Sequence, residues 1–333
     1  NLYMLRTIFS QLSPAFLAGG RGANISVRCM ATVAEFLSDR TRGDLISAQD
    51  VKEMKDSGKD VVVLDASWYL PVHNRNAKGE YAAQRVPGAR FFDVDGVCDK
   101  SQDLPHMLPT AQTLEDYCNN NGISNDTTVV VYDGMGIFSA PRVWWTFKTF
   151  GHDNVKVLAG GLAGWKAAGY EVESTIADAD TLPPLPPSTP FSVKAFLSEY
   201  VLDLAHLKEE VASRKRQVID ARPEPRFKGE APEPRPTKFV GHMPGAKSVP
   251  FSTLLDTHEE LKATIYKPDA SLKSTFEKSG VNVSAPFIAS CGSGMTACIV
   301  AFGLHLLGTA EPPTVYDGSW AEYGNRDDTE VEK

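Results

Sequence analysis

Short, wholly apolar runs recur along the chain, separated by longer stretches with helical periodicity. The runs "VVVL" (61–64), "TTVVVY" (127–132) and "PFIAS" (286–290) are too short for helices and lack an alternating polar face, which predicts strands buried above and below. The stretches "SAPRVWWTFKTFG" (139–151) and "MTACIVAFGLHLLG" (295–308) predict helices, the second amphipathic. Strands alternating with helices in this way predict an α/β fold of mostly parallel sheets flanked by helices.

The pattern occurs twice. "VVVLDA" (61–66) returns as "QVIDA" (217–221), "VPGARFFDVD" (86–95) as "MPGAKSVPFS" (243–252), and "VVVYDGMGIFSA" (129–140) as "PFIASCGSGMTA" (286–297). The offsets nearly coincide: 155 residues from Asp65 to Asp220, 157 from Pro87 to Pro244 and 158 from Asp133 to Cys291. Two copies of one domain are therefore expected, not a solenoid of short units. The expected division is a transit-like, disordered leader over 1–40, a first domain over 41–176, a Pro-rich linker over 177–195, a second domain over 196–326 and an acidic tail over 327–333. Prolines in "DADTLPPLPPSTP" (178–190) forbid helix and favour a stiff, extended connection. "GGLAGW" (160–165) and "YDGSW" (316–320) close each copy with glycine turns.

With 333 residues, 42% of them hydrophobic, the chain can bury two cores of ordinary domain size. No run approaches the roughly 20 apolar residues of a membrane helix, so no membrane partner is expected. The net charge of −8 is unevenly spread: residues 1–34 hold Arg6, Arg21 and Arg28 and no acid, leaving 31 basic against 42 acidic side chains elsewhere. Nucleic acid is not an expected partner for so acidic a body. The leader, with Leu5, Ile8, Leu12 and Phe16 near helical spacing, has the composition of an organellar transit peptide. It predicts a mitochondrial address, with the cytoplasm as alternative if the segment is a plain tail. Five cysteines without a Cys-x-x-Cys pair predict reduced thiols, most of them simply packed, and no disulfide or zinc framework.

One cysteine stands apart. In "ASCGSGMTAC" (289–298), Cys291 lies where a strand hands over to a helix. Gly292 and Gly294 permit dihedrals that let successive N–H groups line a concave nest above the helix N-terminus. Such a setting can lower a thiol pKa from about 8.5 to between about 3.5 and 7.5, giving a nucleophile at neutral pH. The bland alternative is a small apolar filler at a strand end. The other copy keeps both glycines in "DGMGIFSA" but has Asp133 where the cysteine would be, which points to one active and one degenerate loop. Cys298 reads as structural.

Together the tandem repeat and "LDASWYLP", "FFDVD", "HMLP", "SAPRVWW", "APEPR", "CGSGMTAC" and "YDGSW" resemble the two-domain rhodanese family, over residues 44–324. The resemblance implies a non-catalytic N-terminal and a catalytic C-terminal rhodanese domain, with the active site in the cleft between them. It also implies an activity: transfer of the sulfur of 3-mercaptopyruvate through a persulfide on Cys291, with pyruvate released. The acceptor would be thioredoxin, a small thiol or cyanide, and hydrogen sulfide a product. The alternative is the same chemistry with thiosulfate as donor. Thiosulfate-type members carry basic residues after the cysteine, whereas Gly292, Ser293 and Gly294 are neutral and suit a monoanionic organic donor.

By the same resemblance, Arg226 and Arg235 of "ARPEPRFKGEAPEPR" bind the substrate's carboxylate and carbonyl, for which guanidinium forks are suited. Pro225 replaces the family's usual glycine before Arg226. Taken alone, these arginines would read as solvated loop residues. Ser293, His106 and Asp95 correspond to a proton relay facing the cysteine across the cleft. Without the family, His106 would read as a loop histidine and Asp95 as a turn residue. Gly292, Gly294, Met295 and Thr296 complete the substrate-side loop, and Thr296 reads equally as a helix cap. No metal or organic cofactor is implied, and a monomer is expected. A Cys-based phosphatase of related fold would need an arginine six positions after Cys291, where Ala297 stands. A non-catalytic anion-binding module would leave activity indifferent to Cys291→Ser.

Overall fold

The computed structural model describes residue 33 and residues 35–174, 182–309 and 312–333. Most of the expected leader, with its targeting character and Cys29, and the start of the linker lie outside the described residues.

Two five-stranded parallel sheets form the frame. The first comprises β1 (Leu45–Ile46), β2 (Val61–Asp65), β3 (Arg90–Phe91), β4 (Thr128–Tyr132) and β5 (Val155–Leu158), in the spatial order β1-β5-β4-β2-β3. The second comprises β6 (Val201–Leu202), β7 (Gln217–Asp220), β8 (Lys247–Ser248), β11 (Phe287–Ser290) and β12 (Val315–Tyr316), in the order β6-β12-β11-β7-β8. The two orders are the same permutation, so the repeat seen in sequence is a repeat of topology. Asp65 pairs in register with Tyr132 in the first sheet and Asp220 with Ser290 in the second. Val129, Val130 and Val131 are completely buried, as a strand covered on both faces requires; each such side chain contributes about 1.5–3 kcal/mol of burial. An antiparallel hairpin, β9 (Leu255–His258) with β10 (Ala263–Tyr266), is added only in the second half.

Helices cover the sheets. In the first half these are α1 (Ala48–Asp56), α2 (Ala77–Ala83), α3 (Ala111–Asn120), α4 (Ala140–Thr149) and α5 (Gly161–Ala167); in the second, α6 (Leu204–Ser213), α7 (Glu224–Phe227), α8 (Asp269–Lys278), α9 (Ala297–Leu306) and α10 (Ser319–Tyr323). Local rules start several of them: Ser47 and Asp50 form a reciprocal capping box on α1, and Thr110 caps α3.

The halves meet along α4 and α9, where Trp144 and Phe302 lie ring to ring at 4.6 Å. This corrects the expected amphipathic character of residues 295–308. In α9 every residue but His305 is buried, because its outer face packs on α4 of the other half and not in water. Polar contacts seal the same seam, among them Trp145 Nε1 donating to the Pro313 carbonyl at 3.0 Å and His305 facing Asp44 at 3.0 Å. Residues 35–40, counted with the leader in sequence, belong to the body: Leu37 is buried and Arg40 pairs with Asp256 at 3.4 Å. The acidic tail is docked too, with His242 and Glu332 exchanging backbone hydrogen bonds of 2.8 and 2.9 Å.

Candidate active site

In open α/β sheets, ligands bind beyond the carboxyl ends of the strands. Cys291 follows β11 at that end, is almost fully buried, and receives the Ser293 N–H on its sulfur at 3.5 Å. The loop is shaped by a second element. Ser319, at φ +48°, accepts the N–H of Cys291 at 3.2 Å and of Gly294 at 3.0 Å, and donates to the Tyr316 carbonyl at 2.9 Å. The carbonyls of Cys291 and Gly292 accept the first free N–H groups of α10, from Trp320 and Ala321. The chain therefore leaves the strand with its amides turned inward, as the glycine-rich stretch predicted.

The two glycines serve different needs. Gly294 has φ +78° and also lacks room for a side chain, since a Cβ would come within 2.7 Å of Arg142. Gly292 has no left-handed dihedral; a Cβ there would lie 2.7 Å from Arg226 Nη2, so a side chain would push that guanidinium from its present place. Met295 does not line the site with its side chain, which is buried in the core, so any substrate contact would come from its backbone. Thr296 is half-buried and its hydroxyl makes no capping hydrogen bond. Cys298 donates to the Gly294 carbonyl at 3.2 Å, and burial pushes its thiol up to about 12, which keeps it protonated and structural.

Arg226 and Arg235 come to this cleft with different freedom. Arg226 packs against Gly292 and is held by Glu233, which its Nε reaches at 3.0 Å and its Nη2 also contacts. Pro225, the departure from the family pattern, falls within the first turn of the short helix α7, where proline is tolerated. Glu233 also accepts from Arg222 at 2.7 Å, and Arg222 in turn grips Asp220 at 2.6 Å beneath the loop. Arg235 is exposed and makes no ion pair with a carboxylate among the described residues; its Nη2 lies 3.4 Å from His106 Nε2. Its fork is open to an anion.

His106 is buried, with Nδ1 2.5 Å from Asp95 Oδ1. Burial works to raise the Asp95 carboxyl, but the His106 bond and a 2.7 Å bond from Trp68 Nε1 outweigh it and hold the group below the usual carboxylate range. An ionised Asp95 accepts a hydrogen bond from Nδ1–H, leaving Nε2 as the atom that faces the cleft and can exchange a proton. Ser293 does not close the expected triad: among the described residues its hydroxyl makes no hydrogen bond to His106, whose Nε2 faces Arg235 instead. The Ser293 side chain is buried in the loop, and its backbone N–H, not its hydroxyl, is the group directed at the sulfur. Among the described residues no cluster of His, Cys, Asp or Glu could hold a metal, and no helix is long and apolar enough to cross a membrane.

Sequence reasoning missed Arg142, Glu233, Arg222, Ser319 and Trp68. A signal existed for Arg142, the lone charge in the apolar run "SAPRVWW", since a buried guanidinium demands partners. Nothing local marks the others, which act through contacts distant in sequence.

The rhodanese-like domain family matches the chain twice, over residues 47–168 and 203–326. The chain belongs to that family, in its tandem form. Within it, the kinship is with enzymes named for 3-mercaptopyruvate and thiosulfate. The Arabidopsis thaliana thiosulfate/3-mercaptopyruvate sulfurtransferase 1, mitochondrial, is 42% identical over 82% of this chain and 74% of its own. The Homo sapiens 3-mercaptopyruvate sulfurtransferase is 39% identical over 84% and 91%. Among solved structures, Escherichia coli SseA, described as a 3-mercaptopyruvate sulfotransferase, superposes with a TM-score of 0.71 at 34% identity, covering 84% of this chain and all of that one.

Proposed function

We propose that the enzyme takes the sulfur of 3-mercaptopyruvate onto Cys291 and passes it to a thiol acceptor, thioredoxin or a small thiol, with cyanide as an assay substitute. The Cys291 thiolate attacks the substrate sulfur, the carbon–sulfur bond breaks, and its electron pair leaves on carbon as the enolate of pyruvate. A proton carried by His106 Nε2 completes pyruvate, and the outer sulfur stays on Cys291 as a persulfide. Loop amides, beginning with that of Ser293, offset the negative charge on sulfur in both halves of the cycle. A thiol then attacks the outer sulfur, regenerating Cys291 and releasing sulfide when a second thiol follows.

The observation that carries this reading is the open guanidinium of Arg235 3.4 Å from His106 Nε2. A 2-oxo carboxylate needs an anchor and a proton donor side by side, whereas thiosulfate needs no proton on carbon. Thiosulfate as second donor is favoured by relatives named for both substrates. A mitochondrial location is supported by the acid-free leader and by the mitochondrial designation of the Arabidopsis relative, and the molecule is read as a monomer.

The test is mass spectrometry after exposure to 3-mercaptopyruvate, with one added sulfur atom expected on the Cys291 peptide; an unmodified peptide alongside released pyruvate would overturn the persulfide route. Arg235→Ala is expected to raise KM for 3-mercaptopyruvate about 10- to 100-fold with a smaller change in kcat. An unchanged KM would remove the carboxylate role.

A further inference from the structure

The guanidinium of Arg142 lies on α4, in the half of the molecule that carries no nucleophile, yet apart from the Cys298 thiol the polar groups it meets belong to the active site or its supports. Its Nη2 donates to the backbone carbonyl of His106. Its Nη1 lies 2.6 Å from Asp317 Oδ1 and 3.4 Å from the carbonyl of Gly294 in the cysteine loop. Asp317 closes the circuit by accepting the N–H of Leu108, two residues after His106, at 2.7 Å. Both charges are shut away from water, at 2% and 3% exposure.

His106 has φ +61°, a left-handed conformation uncommon outside glycine that histidine visits more readily than most residues. Arg142 and Asp317 hold the backbone on either side of it. The imidazole itself is fixed to Asp95, but Asp95 belongs to the same half as His106 and says nothing about where the pair stands relative to Cys291. Across the cleft, registration falls to the Arg142–Asp317 pair, which ties the segment 106–108 to the loop 291–296 through two backbone carbonyls and one N–H. A lysine could replace the charge but not the fork that reaches three acceptors at once.

We propose that Arg142 is a positioning residue, which sets the distance between the proton-carrying imidazole of His106 and the sulfur of Cys291 by bracing both from beneath. The inference rests on His106 being the proton carrier. Because misplacement by about 1 Å can cost about 100-fold in rate, Arg142→Lys is expected to slow persulfide formation from 3-mercaptopyruvate about 10- to 100-fold, with KM changed by less than about threefold. Asp317→Asn, which keeps size and an acceptor for Leu108, is expected to slow it less, about 3- to 10-fold.

The experiment is single-turnover pyruvate release by the full chain, for Arg142→Lys, Asp317→Asn, His106→Ala and the double variant Arg142→Lys with His106→Ala. If Arg142 acts through His106, it has little left to disturb once the imidazole is gone, so the double variant should match His106→Ala within about threefold. The alkaline limb of the pH–rate profile, expected in the wild type where a proton-donating imidazole loses its proton, should be flattened in Arg142→Lys and Asp317→Asn as in His106→Ala. A full additional loss in the double variant, or a normal rate in Arg142→Lys, would overturn the proposal. Should Arg142→Lys fail to fold, Asp317→Asn decides in its place: an unchanged rate and pH profile there sinks the inference. A normal rate in His106→Ala would sink the relay and this inference together, whereas a slow His106→Ala with a normal Arg142→Lys sinks this one alone.

Discussion

The loops that leave β4 and β11 are the same turn in two copies of one fold, and they spend their amides differently. After β4, Asp133 folds its carboxylate into the nest: Oδ1 accepts the N–H of Met135 at 2.9 Å, and Oδ2 accepts those of Phe138, Ser139 and Ala140 at 2.7–2.9 Å. The mouth is then covered by the hairpin of the other half, where the Thr264 N–H donates to the Met135 carbonyl at 2.8 Å and its hydroxyl accepts the Ile137 N–H at 3.2 Å. After β11, a thiol stands in place of the carboxylate, and Ser319 takes up only the N–H groups of Cys291 and Gly294. One nest carries its own permanent anion; the other keeps donors in reserve for charge that arrives with the substrate. A site of this kind is made by leaving a shared structure incomplete.

The residue two places after the neighbouring strand differs as well. Asp220 is neutralised by Arg222 at 2.6 Å, but its counterpart Asp65 has uncharged partners, among them Ser67, whose N–H donates at 2.9 Å. Burial therefore dominates at Asp65 and raises its carboxyl to about 6, although the Ser67 and Tyr132 hydrogen bonds oppose the rise. The half that carries Cys291 has an arginine here that also holds Glu233, and through it Arg226.

The strongest break of this comparison is an exchange of the two side chains. Cys291→Ser is expected to abolish pyruvate release, by about 10,000-fold or more, since a hydroxyl cannot hold transferable sulfur. Asp133→Cys in that background should restore none of it, because Thr264 covers the loop; measurable turnover would show that the hairpin does not seal it. Next in size, Asp133→Asn should leave turnover intact while lowering unfolding free energy by about 2–4 kcal/mol, because an amide cannot accept from four N–H groups. Urea titration measures this, and a loss under about 1 kcal/mol would mean the carboxylate is not the loop's keystone. The smallest effect concerns pH. A carboxyl raised to about 6 in the fold favours the native state below the ordinary aspartate value and loses that contribution as pH rises through about 6. Asp65→Asn should therefore gain relative stability between pH 4 and pH 7.5, by up to roughly 3 kcal/mol. Identical pH dependence of the urea midpoint in both proteins would contradict the buried, unpaired state of Asp65.

Much of this could be read from residue order. The short apolar runs announced both sheets, and the glycine spacing announced the turn, because strand burial and backbone geometry are local properties. Cys291 was singled out because its absent twin lay in the same chain. The helix after it was misjudged for the opposite reason: whether the outer face of α9 meets water depends on α4, 150 residues away. Gly292 does not use the dihedral freedom expected of it and instead lies beside the Arg226 guanidinium, and periodicity holds no information about such neighbours. The relay was incomplete in the same way, since the nearness of Arg235 to His106 joins segments 129 residues apart.

The shared seam of α4 and α9 has a consequence for what each half can be. Trp144 and Phe302 are both wholly withdrawn from solvent, and each covers part of the other. Severed at the proline link, either piece would display an aromatic flank wide enough to make it adhesive. The two halves are therefore not self-sufficient units: each is a wall of the other, and the half without the loop cysteine cannot be discarded without stripping the flank of its partner.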